Sequence, residues 1–92
     1  MYELINGNGN IKEYGYNGKL DFEGEFLKGK RWNGKGKEYD YFYKLEYEGE
    51  YLEGERNGKG KEYNYFGAII YEGVYLKGER NGKGKNLIIK MN

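Results

Sequence analysis

Six residue types are missing from this 92-residue chain: histidine, cysteine, serine, threonine, proline and glutamine. Each absence excludes chemistry. Nucleophilic catalysis draws on Ser, Cys or Thr beside a base, and His is the commonest general acid–base. Zinc is held chiefly by Cys and His. Without Cys there is no disulfide framework and no redox sign of secretion. Lys, Tyr, Asp and Glu remain, and a carboxylate pair can hydrolyse a glycoside. Here, however, the glutamates recur with a repeat whose pattern turns them to solvent. The expectation is a protein that is not an enzyme and holds no metal or cofactor.

Long apolar runs are missing as well. No segment approaches the roughly 18 residues that a membrane helix needs. The opening MYELINGNGNIKEY has neither the basic nor the apolar region of a signal peptide, so the expected location is the cytoplasm. Sixteen basic and fifteen acidic residues leave a net charge of +1, too little to steer the chain toward nucleic acid. Aromatic residues, by contrast, are abundant at 18%, with twelve Tyr. Disordered chains are poor in such residues. The chain is therefore read as one small folded domain whose core is built on Tyr.

One phrase fills the sequence three times. FEGEFLKGKRWNGKGKEYDYFYKLE starts at Phe22, YEGEYLEGERNGKGKEYNYFGAII at Tyr47 and YEGVYLKGERNGKGKNLIIKMN at Tyr71. Residues 6–21 match the second half of such a unit, so the array reads as a partial repeat 6–21 and repeats 22–46, 47–70 and 71–92. Trp32, inserted between Arg31 and Asn33, makes the first step one residue longer than the second.

Each unit alternates like a strand: Tyr47, Gly49 and Tyr51 share one face, and Glu48 and Glu50 the other. Asn57-Gly58 suits a type I′ turn, whose two central residues need positive φ, so each unit is expected to be a hairpin turning at Asn-Gly. The same turn reading accounts for NGKGK. A Walker-type phosphate loop needs four residues between its glycines and a Ser or Thr after the Lys, and neither condition is met. Gly49 and Gly60 fall inside strands, where glycine is expected if Tyr rings cross the backbone closely.

The recurring Tyr-Glu-Gly-Glu-Tyr strand followed by Asn-Gly-Lys-Gly-Lys resembles the MORN (membrane occupation and recognition nexus) repeat, over about residues 6–92. The resemblance implies an all-β fold: tandem antiparallel hairpins in an elongated, twisted single-sheet solenoid with an aromatic-lined groove. It also implies a role as an interaction module in cytoskeletal and membrane-associated assemblies. The units depart from the usual 23-residue step by an extra residue in Lys-Glu-Tyr after the glycines. An insertion in a strand swaps faces unless a bulge absorbs it, so a bulge is expected near Lys61-Glu62 and its equivalents.

Three surfaces are candidates for binding. Phe22, Phe26, Tyr47, Tyr51, Tyr71 and Tyr75, with Trp32, would line a groove for a protein partner. Trp32 is expected either exposed at a hairpin tip or packed over the stems of Lys28 and Lys30. Arg31, Lys35, Arg56, Lys59, Arg80 and Lys83 recur in register and would form a ladder for anionic phospholipid. Against that ladder stand the Glu23, Glu48 and Glu72 rows, since cross-strand Glu–Lys pairs are an ordinary way to solvate a sheet. Leu87, Ile88 and Ile89 would make an apolar terminal edge for self-association, with a homodimer as the product. The favoured expectation is a non-enzymatic scaffold for protein–protein interaction or self-assembly; peripheral membrane binding is the alternative.

Overall fold

A computed structural model describes residues 8–15, 17–82 and the backbone of 85 and 86. Its strands are β1 (Gly9–Tyr14), β2 (Leu20–Leu27), β3 (Lys30–Tyr39), β4 (Leu45–Leu52), β5 (Glu55–Tyr63), β6 (Ile69–Leu76), β7 (Glu79–Arg80) and β8 (Lys85–Asn86). They follow one another in chain order across a single antiparallel sheet, β1 to β7, and β8 also pairs with β6. The described residues contain no helix. Extents of 48 × 29 × 16 Å show a long, thin slab.

Alternation along the strands sorts the side chains onto two faces. One face collects Phe22, Tyr47, Tyr51, Tyr71 and Tyr75, all buried, with Phe26 packed against them. Their rings run edge-to-face in one chain: Phe26–Phe22 at 5.6 Å, Phe22–Tyr51 at 5.7 Å, Tyr51–Tyr47 at 5.7 Å, Tyr47–Tyr75 at 5.1 Å and Tyr75–Tyr71 at 5.3 Å. Such pairs add to simple area burial. Buried hydroxyls are satisfied locally, Tyr47 donating to the Glu50 carbonyl and Tyr71 to that of Val74.

Glycine makes this packing possible. Gly24 faces Gly34, Gly36 faces Gly49, Gly49 faces Gly60, and Gly60 faces Gly73. The rings lie over these pairs as the sequence implied: a carbon added at Gly60 would stand 2.6 Å from Tyr47 Cε1 and 2.9 Å from Tyr75 Cε1.

The hairpin turn is not at Asn-Gly. Leu27 pairs with Lys30, Leu52 with Glu55 and Leu76 with Glu79, which leaves Lys28-Gly29, Glu53-Gly54 and Lys77-Gly78 as two-residue loops. Both residues of each have positive φ, 52° and 83° for Glu53 and Gly54, as a type I′ turn requires. Asn57 and Gly58 lie within β5 instead, at a register shift where Asn57, Gly58 and Lys59 span the single residue Glu50. Gly58 takes φ 76° there, and the Glu50 carboxylate accepts the Lys59 N–H at 2.8 Å. A turn at Asn57-Gly58 would have slid Gly49 away from Gly60 and left no floor for the Tyr rings.

The expected second irregularity is present. Register shifts fall between Glu13 and Tyr14, Glu38 and Tyr39, and Glu62 and Tyr63. At the opposite edge from the hairpin turns, loops 40–43 and 64–67 join successive hairpins, closed by Tyr43 N–H to Asp40 and Gly67 N–H to Asn64 carbonyls. Tyr43 takes φ 64° where Gly67 takes 85° and Gly18 takes 80°, a conformation that costs an L-residue roughly 1–2 kcal/mol.

Candidate functional site

Between the aromatic rings and solvent runs a row of ion pairs. The register sets Glu13 opposite Phe22, Glu38 opposite Tyr47 and Glu62 opposite Tyr71, so these carboxylates project from the aromatic face. Each meets an arginine of the following hairpin. Arg31 Nε lies 3.1 Å from Glu13 Oε1, Arg56 donates twice to Glu38 at 3.0 and 2.8 Å, and Arg80 twice to Glu62 at 2.9 and 3.0 Å. Arg56 also reaches Glu62 at 3.8 Å. The guanidinium groups rest on ring faces, Arg31 5.0 Å from the Phe22 centroid, Arg56 4.3 Å from Tyr47 and Arg80 4.7 Å from Tyr71. Delocalised and weakly hydrated, a guanidinium can stack and pair at once.

Tyrosine completes two of the rungs. Tyr51 donates to Glu38 Oε2 and Tyr75 to Glu62 Oε1, each at 2.6 Å. Burial alone would raise the Glu38 carboxyl, but the hydrogen bonds from Arg56 and Tyr51 and the arginine charges outweigh it and hold the group below the usual carboxylate range. The Arg80 bond, working against burial and aided by Tyr75, does the same for Glu62. Phe26 occupies the equivalent place beside Glu13 and has no hydroxyl. Phe26→Tyr is expected to supply the missing donor and raise stability by about 0.5–1.5 kcal/mol, read as a higher melting temperature; an unchanged or lower value would mean the first rung differs from the others.

These glutamates were not among the candidates read from the sequence. The signal was there: each stands 18 residues before its arginine. Alternation from Gly60 places Glu62 on the aromatic face, because the register shift falls only after it, between Glu62 and Tyr63.

The predicted Lys/Arg ladder is not one stripe. Arg31, Arg56 and Arg80 belong to the aromatic face, whereas Lys35 pairs in register with Glu23 and Glu50, and Lys59 with Val74, on the opposite face. Lys12–Glu23 at 3.7 Å and Lys61–Glu72 at 3.9 Å are ion pairs of that charged face. There an open trough of about 480 Å³ has Gly60 and Gly73 in its floor and the Glu48, Lys61 and Glu72 side chains on its sides. Lys83 lies outside the described residues, as do Leu87, Ile88 and Ile89 of the expected terminal edge.

The predicted partner groove is largely filled by its own lining. Phe22, Tyr47, Tyr51, Tyr71 and Tyr75 are the core and present almost no surface. Phe26 and Trp32 line an open trough of about 730 Å³ with Leu27 and Tyr51. Trp32 is not exposed at a hairpin tip; it lines the same trough as Lys28 and Lys30. It sits half-buried within β3, as the extra residue of a register shift, with its carbonyl accepting the Gly54 N–H and its ring beside Gly54 of the next hairpin turn.

Comparison with known protein families matches the MORN repeat at residues 22–40, 47–64 and 71–85, more than half of the chain. The chain belongs to the MORN-repeat family. No curated protein and no solved structure matches it significantly. In these MORN repeats the matched segments begin at Phe22, Tyr47 and Tyr71, three of the rings of the buried row. MORN repeats are found in scaffold and membrane-associated proteins.

Tyrosine hydroxyls give this array a pH limit. Burial, then bonds to Asp21 and Glu48 respectively, pushes Tyr39 and Tyr63 up to about 12. Burial raises Tyr47, Tyr51 and Tyr75 further. The folded chain thus keeps protons that unfolded tyrosines release near 10. Stability should be full below pH 10 and fall as pH rises toward 12, and the phenolate absorbance of these five tyrosines should appear together with loss of the far-ultraviolet strand signal. Ionisation of every tyrosine with the strand signal intact would contradict this.

Proposed function

We propose that this MORN-repeat chain is a non-enzymatic scaffold, a rigid sheet that presents surfaces to other proteins or to further copies of itself. The observation that supports this reading most is where the ionisable groups go. Glu13, Glu38 and Glu62 are tied to Arg31, Arg56 and Arg80 and lock one hairpin to the next. Tyr39, Tyr51, Tyr63 and Tyr75 are bound to carboxylates in the same way. These carboxylates and phenols are committed to holding the sheet, which fits a structural part better than a reaction centre.

The test is quantitative enrichment of proteins on the immobilised chain against a Gly49→Ala control, followed by titration with the purified candidate. Saturable binding without turnover is expected. Catalytic turnover lost on replacing a single Glu or Lys would overturn the reading.

A second reading concerns anionic phospholipid. Lys35 and Lys59 are exposed and occupy the same face, and each cation near an acidic membrane contributes about 1 kcal/mol. Vesicle flotation at low and high salt decides it: binding to phosphatidylserine vesicles that vanishes in salt supports it, and no binding at low salt removes it. Association with cytoskeletal or membrane structures in the cytoplasm is part of the same proposal.

A further inference from the structure

Five of the exposed aromatic residues are gathered on one edge. Tyr41 is 93% exposed, Phe42 68%, Tyr43 60%, Tyr65 56% and Phe66 73%. All lie in the two loops, 40–43 and 64–67, that join successive hairpins. Ring contacts connect the loops: Tyr41–Phe42 at 5.3 Å, Phe42–Tyr65 at 6.4 Å and Tyr65–Phe66 at 5.6 Å, all edge-to-face. Monomeric proteins seldom expose a continuous apolar patch of this size without a use for it.

The loops that carry these rings are fixed. Asp40 Oδ1 accepts the N–H groups of Phe42 and Lys44 at 2.7 and 2.9 Å. Asn64 Oδ1 accepts those of Phe66 and Ala68 at 2.9 and 3.0 Å. Each side chain thus closes its own loop from within, and the rings are held outward before any partner arrives. Preorganisation of this kind lowers the ordering cost of association.

Area and charge select the occupant. The exposure of the five residues equals about three and a half open rings, or roughly 700 Å² at about 200 Å² each. A standard interface buries ~800 Å² per partner, a value reached once the neighbouring Lys44 and Glu46 are included. Asp40, Lys44 and Glu46 flank the rings, with carboxylates outnumbering the cation. Such an edge repels acidic lipid and nucleic acid, yet its mixed signs allow it to face itself. Lys44 already places Nζ 5.4 Å from the Tyr65 centroid, so the edge carries both halves of a cation–π contact. A two-fold axis would set loop 40–43 of one copy against loop 64–67 of the other, the self-complementary arrangement of an isologous dimer.

We propose that the loop edge built by Tyr41, Phe42, Tyr65 and Phe66 is a homodimer interface, through which two copies of this chain associate side by side. The proposal rests on the scaffold reading and names the self-association surface within it. It places that surface on the hairpin-joining edge, away from the ends of the sheet.

Sedimentation velocity from about 5 to 500 µM tests it on the full chain, with Phe42→Ser/Tyr65→Ser as the variant. Both side chains are mostly exposed, so the variant should keep the parent's circular dichroism and melting temperature at low concentration. The expected result is a concentration-dependent dimer for the parent, little changed by salt, and at least a tenfold weaker association for the variant. A parent that stays monomeric throughout overturns the proposal and leaves scaffold binding of other proteins intact. A dimer that the variant forms equally well also overturns it. So does a parent that is monomeric in solution but pellets with phosphatidylcholine vesicles through these rings, which would make the edge a membrane contact.

Discussion

Replacing Gly49 by Ala should cost at least about 3 kcal/mol, enough to unfold much of a domain this small. The added carbon would stand 2.5 Å from the Tyr47 hydroxyl oxygen and 2.6 Å from both Gly60 Cα and the Lys59 carbonyl oxygen. Two of these neighbours are backbone and cannot swing aside. The strands would have to separate at the Gly49–Gly60 pair. Gly60→Ala makes a useful comparison, because its closest neighbours are the rings of Tyr47 and Tyr75, and side chains can yield. It should cost less, about 1–3 kcal/mol, as overpacked cores generally do. Adding Tyr47→Phe to Gly49→Ala removes the nearest atom and should recover only part of the loss. Chemical denaturation of the three variants measures this. Equal stability of Gly49→Ala and the parent would show that the strands can part at little cost.

Arg56→Ala is expected to have the other large effect, about 3 kcal/mol at neutral pH. It strips Glu38 of two charge-assisted bonds, takes a cation from above Tyr47 and removes a neighbour of Glu62. A partly buried carboxylate left with the Tyr51 hydroxyl but no arginine is the main penalty. The sign of the pH dependence follows. Glu38 is held below the ordinary carboxylate range in the folded parent, so its contribution is present above the unfolded value and lost as pH falls through the folded one. The gap between parent and Arg56→Ala should therefore be widest near neutrality and shrink on acidification. Melting temperatures of both proteins from pH 7 to pH 3 give the comparison. A gap independent of pH would mean that the arginine acts only through packing.

Both results trace to features of unequal visibility in the sequence. The glycines were legible because Gly weakens the interior of an alternating strand unless a neighbouring group needs the space. The arginines were legible as a row but not in direction: one reading set Arg31, Arg56 and Arg80 beside Lys35 and Lys59 on a single surface. Register decides the matter. The two-residue loop at Glu53-Gly54 keeps Arg56 opposite Tyr51, and the shift at Asn57 to Lys59 then turns Lys59 to the other face. Local propensity favoured Asn57-Gly58 as the turn, and the Gly49–Gly60 pairing overrode it. Loop closure at either dipeptide is feasible, but only one choice lets Tyr47 and Tyr75 close over glycine.

Sequence by itself determined the repeat, the antiparallel hairpins, the Tyr rings over glycine and the shift near Lys-Glu-Tyr, because these follow from chain-local periodicity. Tertiary structure alone decided which tyrosines are core and which are surface. Tyr47 and Tyr41 are the same residue type six positions apart, yet the first is fully buried and the second almost fully exposed. Tyr47 lies in the sheet under the Arg56 guanidinium of its own hairpin and against the Tyr75 ring of the next, whereas Tyr41 lies in an outer loop against its neighbour Phe42. That difference arises from contacts between hairpins, and no window within one hairpin contains it.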